Sequence, residues 1–135
     1  VLSLPLACQA AIRPMPVGAR DLENAASTYE YSLPEQFDLV HLGLGPDGHT
    51  ASLVPGDPVL EVTDRSIAVT GTEYQGTHRM TMTYPVFEKA RKILFLVTGA
   101  EKREALDRLL AGDGTIPAGR VETANATLIT DIAPD

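Results

Sequence analysis

Apolar residues Leu22, Ala25, Ala26, Tyr29 and Leu33 recur at helical spacing behind Asp21, which has the side chain of an N-cap. The pattern predicts an amphipathic helix ending before Pro34. Upstream, Pro14 and Pro16 make 13–18 a loop, and residues 1–12 read as a short helix or strand broken by Pro5. Phe37–Gly43 is short and mostly apolar, as a buried parallel strand would be. It runs into a stretch with glycines at 43, 45, 48 and 56 and prolines at 46 and 55, which predicts a tight turn and at most a short helix stopped by Pro55. Ser66–Thr70 and His78–Thr83 read as strands, the second alternating Met80 and Met82 with Thr81 and Thr83. Tyr84–Arg91 reads as a helix with Pro85 in its first turn, and Lys92–Thr98 as a strongly apolar strand. Gly99 opens a helix over Ala100–Ala111, buried through Ala105, Leu106, Leu109 and Leu110 and closed by Gly112. After a loop at Pro117, Ala126–Thr130 forms the last strand. Strands alternating with helices in this order define a single α/β domain with an open, largely parallel sheet flanked by helices.

Length and composition fit that reading. The chain has 135 residues, 44% of them hydrophobic and 21% charged, so it can bury one core. Its formal net charge of −7 speaks against a general nucleic-acid or anionic-membrane binder, which needs a basic footprint. An anionic ligand would require a few well-placed cations. No stretch approaches the roughly 18 apolar residues that span a bilayer. The single cysteine, Cys8, excludes an internal disulfide and a thiolate zinc cluster, and it suits a reducing compartment such as the cytoplasm.

In open α/β sheets ligands bind beyond the carboxyl ends of the strands. Two such ends carry chemistry here: the glycine turn after the 37–43 strand and Thr98–Lys102 after the 92–98 strand. Gly43, Gly45 and Gly48 match the spacing of a dinucleotide fingerprint. Pro55, however, cuts off the helix that should follow, and Asp47 would repel a pyrophosphate. A Ser52–His49–Asp47 triad fails for a different reason. Triad members converge from separate segments, and no nucleophile elbow is present. Three scattered histidines, His41, His49 and His78, give no metal-ligand spacing. His49 at the start of a short helix would face the positive dipole end, which favours neutral imidazole and so a general base, with Asp47 orienting the ring. The competing reading is that His49 caps the turn and the glycines only shape it. Lys102 sits where a cation and backbone N–H groups could together hold a phosphate, but it also fits a solvated surface lysine. Arg79 is a similar candidate that ordinarily would form a surface ion pair. His41, on an apolar strand, reads as a structural residue.

Four motifs in order resemble one family. Phe37–Leu53, with Gly43-Leu44-Gly45-Pro46-Asp47-Gly48-His49 at its centre, resembles the signature of the 6-phosphogluconolactonases, within the glucosamine-6-phosphate isomerase/6-phosphogluconolactonase superfamily. Arg79-Met80-Thr81-Met82-Thr83, Val97–Lys102 and Ile116-Pro117-Ala118 resemble three further family motifs, and Arg13–Pro16 before the first helix resembles the family's preceding segment. After the Asp-Gly-His turn, Ala51–Gly56 resembles the lactonase run and lacks the glutamate of the deaminating isomerases; Val54 stands where lactonases usually have Phe.

The resemblance implies a Rossmann-like fold of the isomerase/lactonase type. It also implies hydrolysis of 6-phospho-D-glucono-1,5-lactone to 6-phosphogluconate in the oxidative pentose phosphate pathway, without metal or organic cofactor. It assigns His49 as general base and Asp47 as its orienting partner. Gly45 and Gly48 would contribute to substrate binding, with the Gly48 N–H and its neighbours stabilising the oxyanion; Lys102 would hold the phosphate and Arg79 would assist. The family's Gly-Gly-Ser/Thr loop and Asp-Glu-Arg motif are missing. The expectation is therefore the C-terminal part of a longer lactonase, inactive alone and exposing a sheet edge and an apolar flank. A non-catalytic sugar-phosphate-binding or interaction module on the same scaffold is the rival reading.

Overall fold

The computed structural model of the chain describes residues 11–133; most of the 1–12 segment, including Cys8, lies outside them. Helix α1 (Leu22–Glu30) starts where its cap dictates, because the Asp21 carboxylate accepts the Asn24 N–H. It ends at Tyr31, short of the expected limit, and Leu33 closes a following turn through the Glu30 carbonyl. Strands β1 (Val40–Leu42), β4 (Ile93–Val97) and β5 (Ala126–Thr130) form a parallel sheet in the order β1-β4-β5. The register sets Val40 beside Ile93 and Ile93 beside Ala126. Strands β2 (Ile67–Val69) and β3 (Met80–Met82) pair antiparallel in a separate ribbon. Helix α2 (Tyr84–Lys89) follows β3, and α3 (Arg103–Leu110) follows β4 after a 3₁₀ turn at Ala100–Lys102. Gly112, at φ 65, closes α3 as a left-handed C-terminal residue.

Period-two alternation divides the sheet into two unlike faces. Val40, Leu42, Ile93, Phe95 and Val97 are buried in the main core with Phe87 of α2 and Leu106 and Leu109 of α3. The same register turns His41, Leu94, Leu96, Thr127 and Ile129 to the opposite face, where Leu96 is 43% and Ile129 53% exposed. β1 pairs with β4 alone, so the expected open edge and apolar flank are both present among the described residues. A smaller core joins Ala26 of α1 to Ile67 and Met80, fixing the helix onto the β2–β3 ribbon.

Three expectations fail. Leu110, expected on the buried face of α3, is 64% exposed, leaving Ala105, Leu106 and Leu109 to bury the helix. The short helix expected to begin at His49 does not form before Pro55. Gly48 sits at φ 85 and Ala51 at φ 50, outside the right-handed region, and the Leu53 N–H closes a tight turn onto the Thr50 carbonyl at 2.9 Å. The first strand is also shorter than its apolar run, and Phe37 lies outside it, packing against the main core while its carbonyl accepts the Arg91 N–H.

Candidate functional site

The turn after β1 is held from several sides. The Gly45 N–H donates to the His49 carbonyl at 2.9 Å, and the Gly48 N–H donates to the Gly45 carbonyl at 3.0 Å. The Thr50 hydroxyl donates back to the Gly43 carbonyl at 2.7 Å, and the Ser52 N–H donates to the buried Thr81 hydroxyl of β3 at 3.1 Å. The Gly48 carbonyl accepts from the Ala118 N–H at 3.0 Å, so the Ile116–Ala118 loop is docked on the turn. Gly45 and Gly48 each have a steric reason, whereas a Cβ on Gly43 would meet nothing within 4 Å. A Cβ on Gly45 would stand 2.1 Å from His49 Nδ1, and one on Gly48 would stand 2.6 Å from the Ile116 Cβ at an already left-handed φ.

These constraints place Asp47 and His49 together. Asp47 Oδ1 lies 2.6 Å from His49 Nδ1 and also accepts the His49 N–H at 3.1 Å. Partial burial pushes the Asp47 carboxyl up, but the backbone and ring hydrogen bonds from His49 outweigh it and hold the group below the ordinary carboxylate value. An ionised Asp47 accepting Nδ1–H leaves the Nε2 lone pair of His49 free to take a proton. The dipole argument for His49 does not survive, because no helix starts there; the carboxylate, not a helix, orients the ring. Ser52 enters only through its backbone, so no triad forms. The Gly48 N–H is committed to Gly45, which removes it as the expected oxyanion donor.

Arg79 reaches the same cluster from the start of β3. Its backbone is clamped by Thr70, whose hydroxyl accepts the Arg79 N–H at 2.9 Å and whose N–H donates to the Arg79 carbonyl at 2.8 Å. The guanidinium makes no ion pair among the described residues. It donates to Gln75 Oε1 at 3.1 Å and lies 5.4 Å from the Tyr74 ring centroid, and its buried Nε has no partner. Tyr74 carried no signal in the sequence. Its ring meets the His49 ring edge-on at 5.4 Å, and its hydroxyl stands 3.4 Å from Asp47 Oδ2.

Lys102 is not drawn into this cluster. It follows β4, next to β1 in the sheet, so the two turns share one sheet edge, yet its half-buried side chain makes no hydrogen bond or ion pair with the other candidates. The turn before it is partly spoken for, because the Gly99 N–H donates to Asp131 Oδ1 at 3.0 Å. A phosphate here would rest on Lys102 rather than on that amide. His41 is exposed on the open face of β1 and lines a cavity of about 270 Å³ behind the turn with Gly43, Ser52 and Met80; none of the candidate residues lines it. No group of three or more potential metal ligands occurs among the described residues, and no helix there is long and apolar enough to cross a membrane.

A parallel sheet carrying a glycine turn, an Asp–His pair and Lys102 along its carboxyl edge, with Arg79 reaching in from the β2–β3 ribbon, defines an α/β protein of the kind that binds ligands beyond its strand ends. Comparison with known proteins narrows the class. The model of the glucosamine-6-phosphate isomerases/6-phosphogluconolactonase family matches residues 2–130, and the chain belongs to that family. It is similar to the 6-phosphogluconolactonase of Synechocystis sp., 45% identical over 113 residues that cover 76% of this chain and 46% of the relative. The 6-phosphogluconolactonase of Rattus norvegicus is 35% identical over 120 residues, 82% of this chain and 47% of the relative. The crystal structure of the Thermotoga maritima 6-phosphogluconolactonase superposes with a TM-score of 0.67 at 32% identity, over 79% of this chain and 50% of that one. The chain thus spans about half the length of the relatives it matches.

Proposed function

We propose that this chain carries the general base and two cations of a site that hydrolyses 6-phospho-D-glucono-1,5-lactone to 6-phosphogluconate. The observation that carries the reading is the Asp47–His49 pair at 2.6 Å, on a turn that every neighbouring contact fixes. The relatives named for this activity, up to 45% identical, support it. His49 Nε2 takes a proton from water as the water oxygen bonds to the lactone carbonyl carbon, and Asp47 stabilises the imidazolium that forms. The tetrahedral intermediate collapses by breaking its bond to the ring oxygen, which takes the proton back from His49. The product is the open-chain acid, and one water has been consumed. Gly45 and Gly48 shape the turn that receives the lactone, Lys102 holds the phosphate, and Arg79 contributes positive charge beside it.

The two cations explain how a chain of net charge −7 receives an anion. No step calls for a metal or an organic cofactor. This reading assigns a small metabolite as substrate and the cytoplasm as compartment, and the net charge of −7 speaks against nucleic acid or an anionic membrane as partner. The test is His49→Gln in the full-length protein, with lactone hydrolysis followed by acid release. Turnover is expected to fall about 10²–10⁴-fold with KM nearly unchanged, the signature of a lost general base. Turnover within about threefold of wild type removes His49 from the mechanism, and absence of lactone hydrolysis by the wild-type protein favours the non-catalytic module.

A further inference from the structure

Tyr74 is the residue the proposed mechanism leaves unused, and it touches both halves of the cluster. The face of its ring carries the Arg79 guanidinium at 5.4 Å, and its ring stands edge-on to His49 at 5.4 Å. The hydroxyl reaches towards Asp47 Oδ2 at 3.4 Å, long for a hydrogen bond. The segment that presents Tyr74 is built rather than loose. At its root the buried Asp57 carboxylate accepts from Gly71 N at 3.0 Å, Thr72 N at 2.9 Å and the Thr72 hydroxyl at 2.6 Å. At its tip Tyr74 and Thr77 pair across a two-residue turn, with Gln75 at φ 54 and Gly76 at φ 82.

The state of Arg79 shows why such a holder is needed. Its Nε is buried without a partner, which is unfavourable for a charged donor. What keeps the guanidinium in place is the Tyr74 face and the Gln75 carbonyl oxygen, both on the same turn. We infer that Tyr74 is a positioning residue that fixes the Arg79 guanidinium relative to the Asp47–His49 pair, its face holding the cation and its edge backing the imidazole. It touches no reacting atom. The functional consequence rests on the lactonase reading of His49 and Arg79, but the geometry does not.

The test uses the full-length protein with Tyr74→Leu, Tyr74→Phe, Arg79→Met and Tyr74→Leu combined with Arg79→Met, and 6-phosphogluconate as the binding probe. Tyr74→Leu is expected to weaken 6-phosphogluconate about three- to tenfold. Tyr74→Phe, which keeps the ring, should stay within about twofold of wild type. In the Arg79→Met background Tyr74→Leu should cost less than about twofold, because the two act as one unit. Effects that simply multiply, or Tyr74→Phe as damaging as Tyr74→Leu, would overturn the proposal. The His49 ring resonances, followed by NMR without ligand, separate the two inferences. They should move in Tyr74→Leu and hold in Tyr74→Phe, and unmoved resonances refute the role of Tyr74 even in an active lactonase. Resonances that move in a wild-type background unable to bind 6-phosphogluconate support the positioning role and overturn the lactonase reading instead.

Discussion

Replacing Gly45 by alanine adds one methyl group and should disable the site without unfolding the chain. The new Cβ would stand 2.1 Å from His49 Nδ1, 2.2 Å from Cε1 and 2.8 Å from Asp47 Oδ1. Ordinary contact begins near 3.4 Å, so the ring must retreat by more than about 1 Å or rotate out of the site. Either movement breaks the 2.6 Å bond to Asp47, which fixes the tautomer. A misplacement of ~1 Å costs about 10²-fold, and the whole contribution of a general base is about 10²–10⁴-fold. Turnover of the Gly45→Ala protein should therefore fall between about 10²- and 10³-fold. The backbone survives, because Gly45 is not among the left-handed residues and its N–H and C=O bonds do not involve a side chain. The loss in stability should stay near 1 kcal/mol. Acid release from the lactone, a thermal melt and 6-phosphogluconate affinity together decide the matter. A folded Gly45→Ala protein turning over within about threefold of wild type would refute the idea that His49 must occupy the space above Gly45.

Other expectations follow from the same geometry. Lys102→Ala should raise KM for the phosphorylated lactone and leave unphosphorylated gluconolactone untouched; equal slowing of both substrates would make Lys102 structural. The protein should release no ammonia from glucosamine 6-phosphate, since no glutamate follows the Asp-Gly-His turn, and ammonia release at a rate rivalling lactone hydrolysis would overturn that assignment. Asp57→Ala should cost about 2–4 kcal/mol at neutral pH, because it orphans the amides of Gly71 and Thr72. Burial pushes the Asp57 carboxyl up, but its four hydrogen bonds hold it below its ordinary 3.8. A depressed value means the carboxylate stabilises the fold above pH 3.8 and loses that effect as pH falls through the lower folded value. The gap between wild type and Asp57→Ala should thus narrow in acid melts, and a gap as wide at pH 2 as at pH 7 would contradict it.

What the sequence disclosed and what it withheld divide along the range of the interactions. The Asp21 cap, the apolar run of β4, the β5 span and the Gly112 stop are local, and local pattern found them. The Asp-Gly-His turn was legible as a motif, but its dipole rationale was not, since a left-handed Ala51 has no one-residue signature. Tyr74 escaped notice because its value lies in contacts with residues on two other segments, and its Gln75-Gly76 turn lacks the Asn-Gly or Asp-Gly cue. The Gly99–Asp131 bond, which takes an amide from the expected phosphate turn, also joins distant segments. The collision of Gly48 with Ile116 is invisible in one dimension for the same reason, whereas that of Gly45 with His49 is local and depends on the folded shape of the turn.

The sheet order β1-β4-β5 has a consequence for how the site comes into being during synthesis. β1 has β4 as its strand partner, and that strand lies about fifty residues downstream, several seconds of translation at roughly 5–20 residues per second. Before then the nascent chain can already assemble α1 against the β2–β3 ribbon, through Ala26, Ile67 and Met80. The glycine turn waits still longer, because the Gly48 carbonyl is pinned by the Ala118 N–H and Gly48 itself packs on Ile116. Asp47 and His49 leave the ribosome about seventy residues before Ile116 and Ala118, which complete the turn that aligns them.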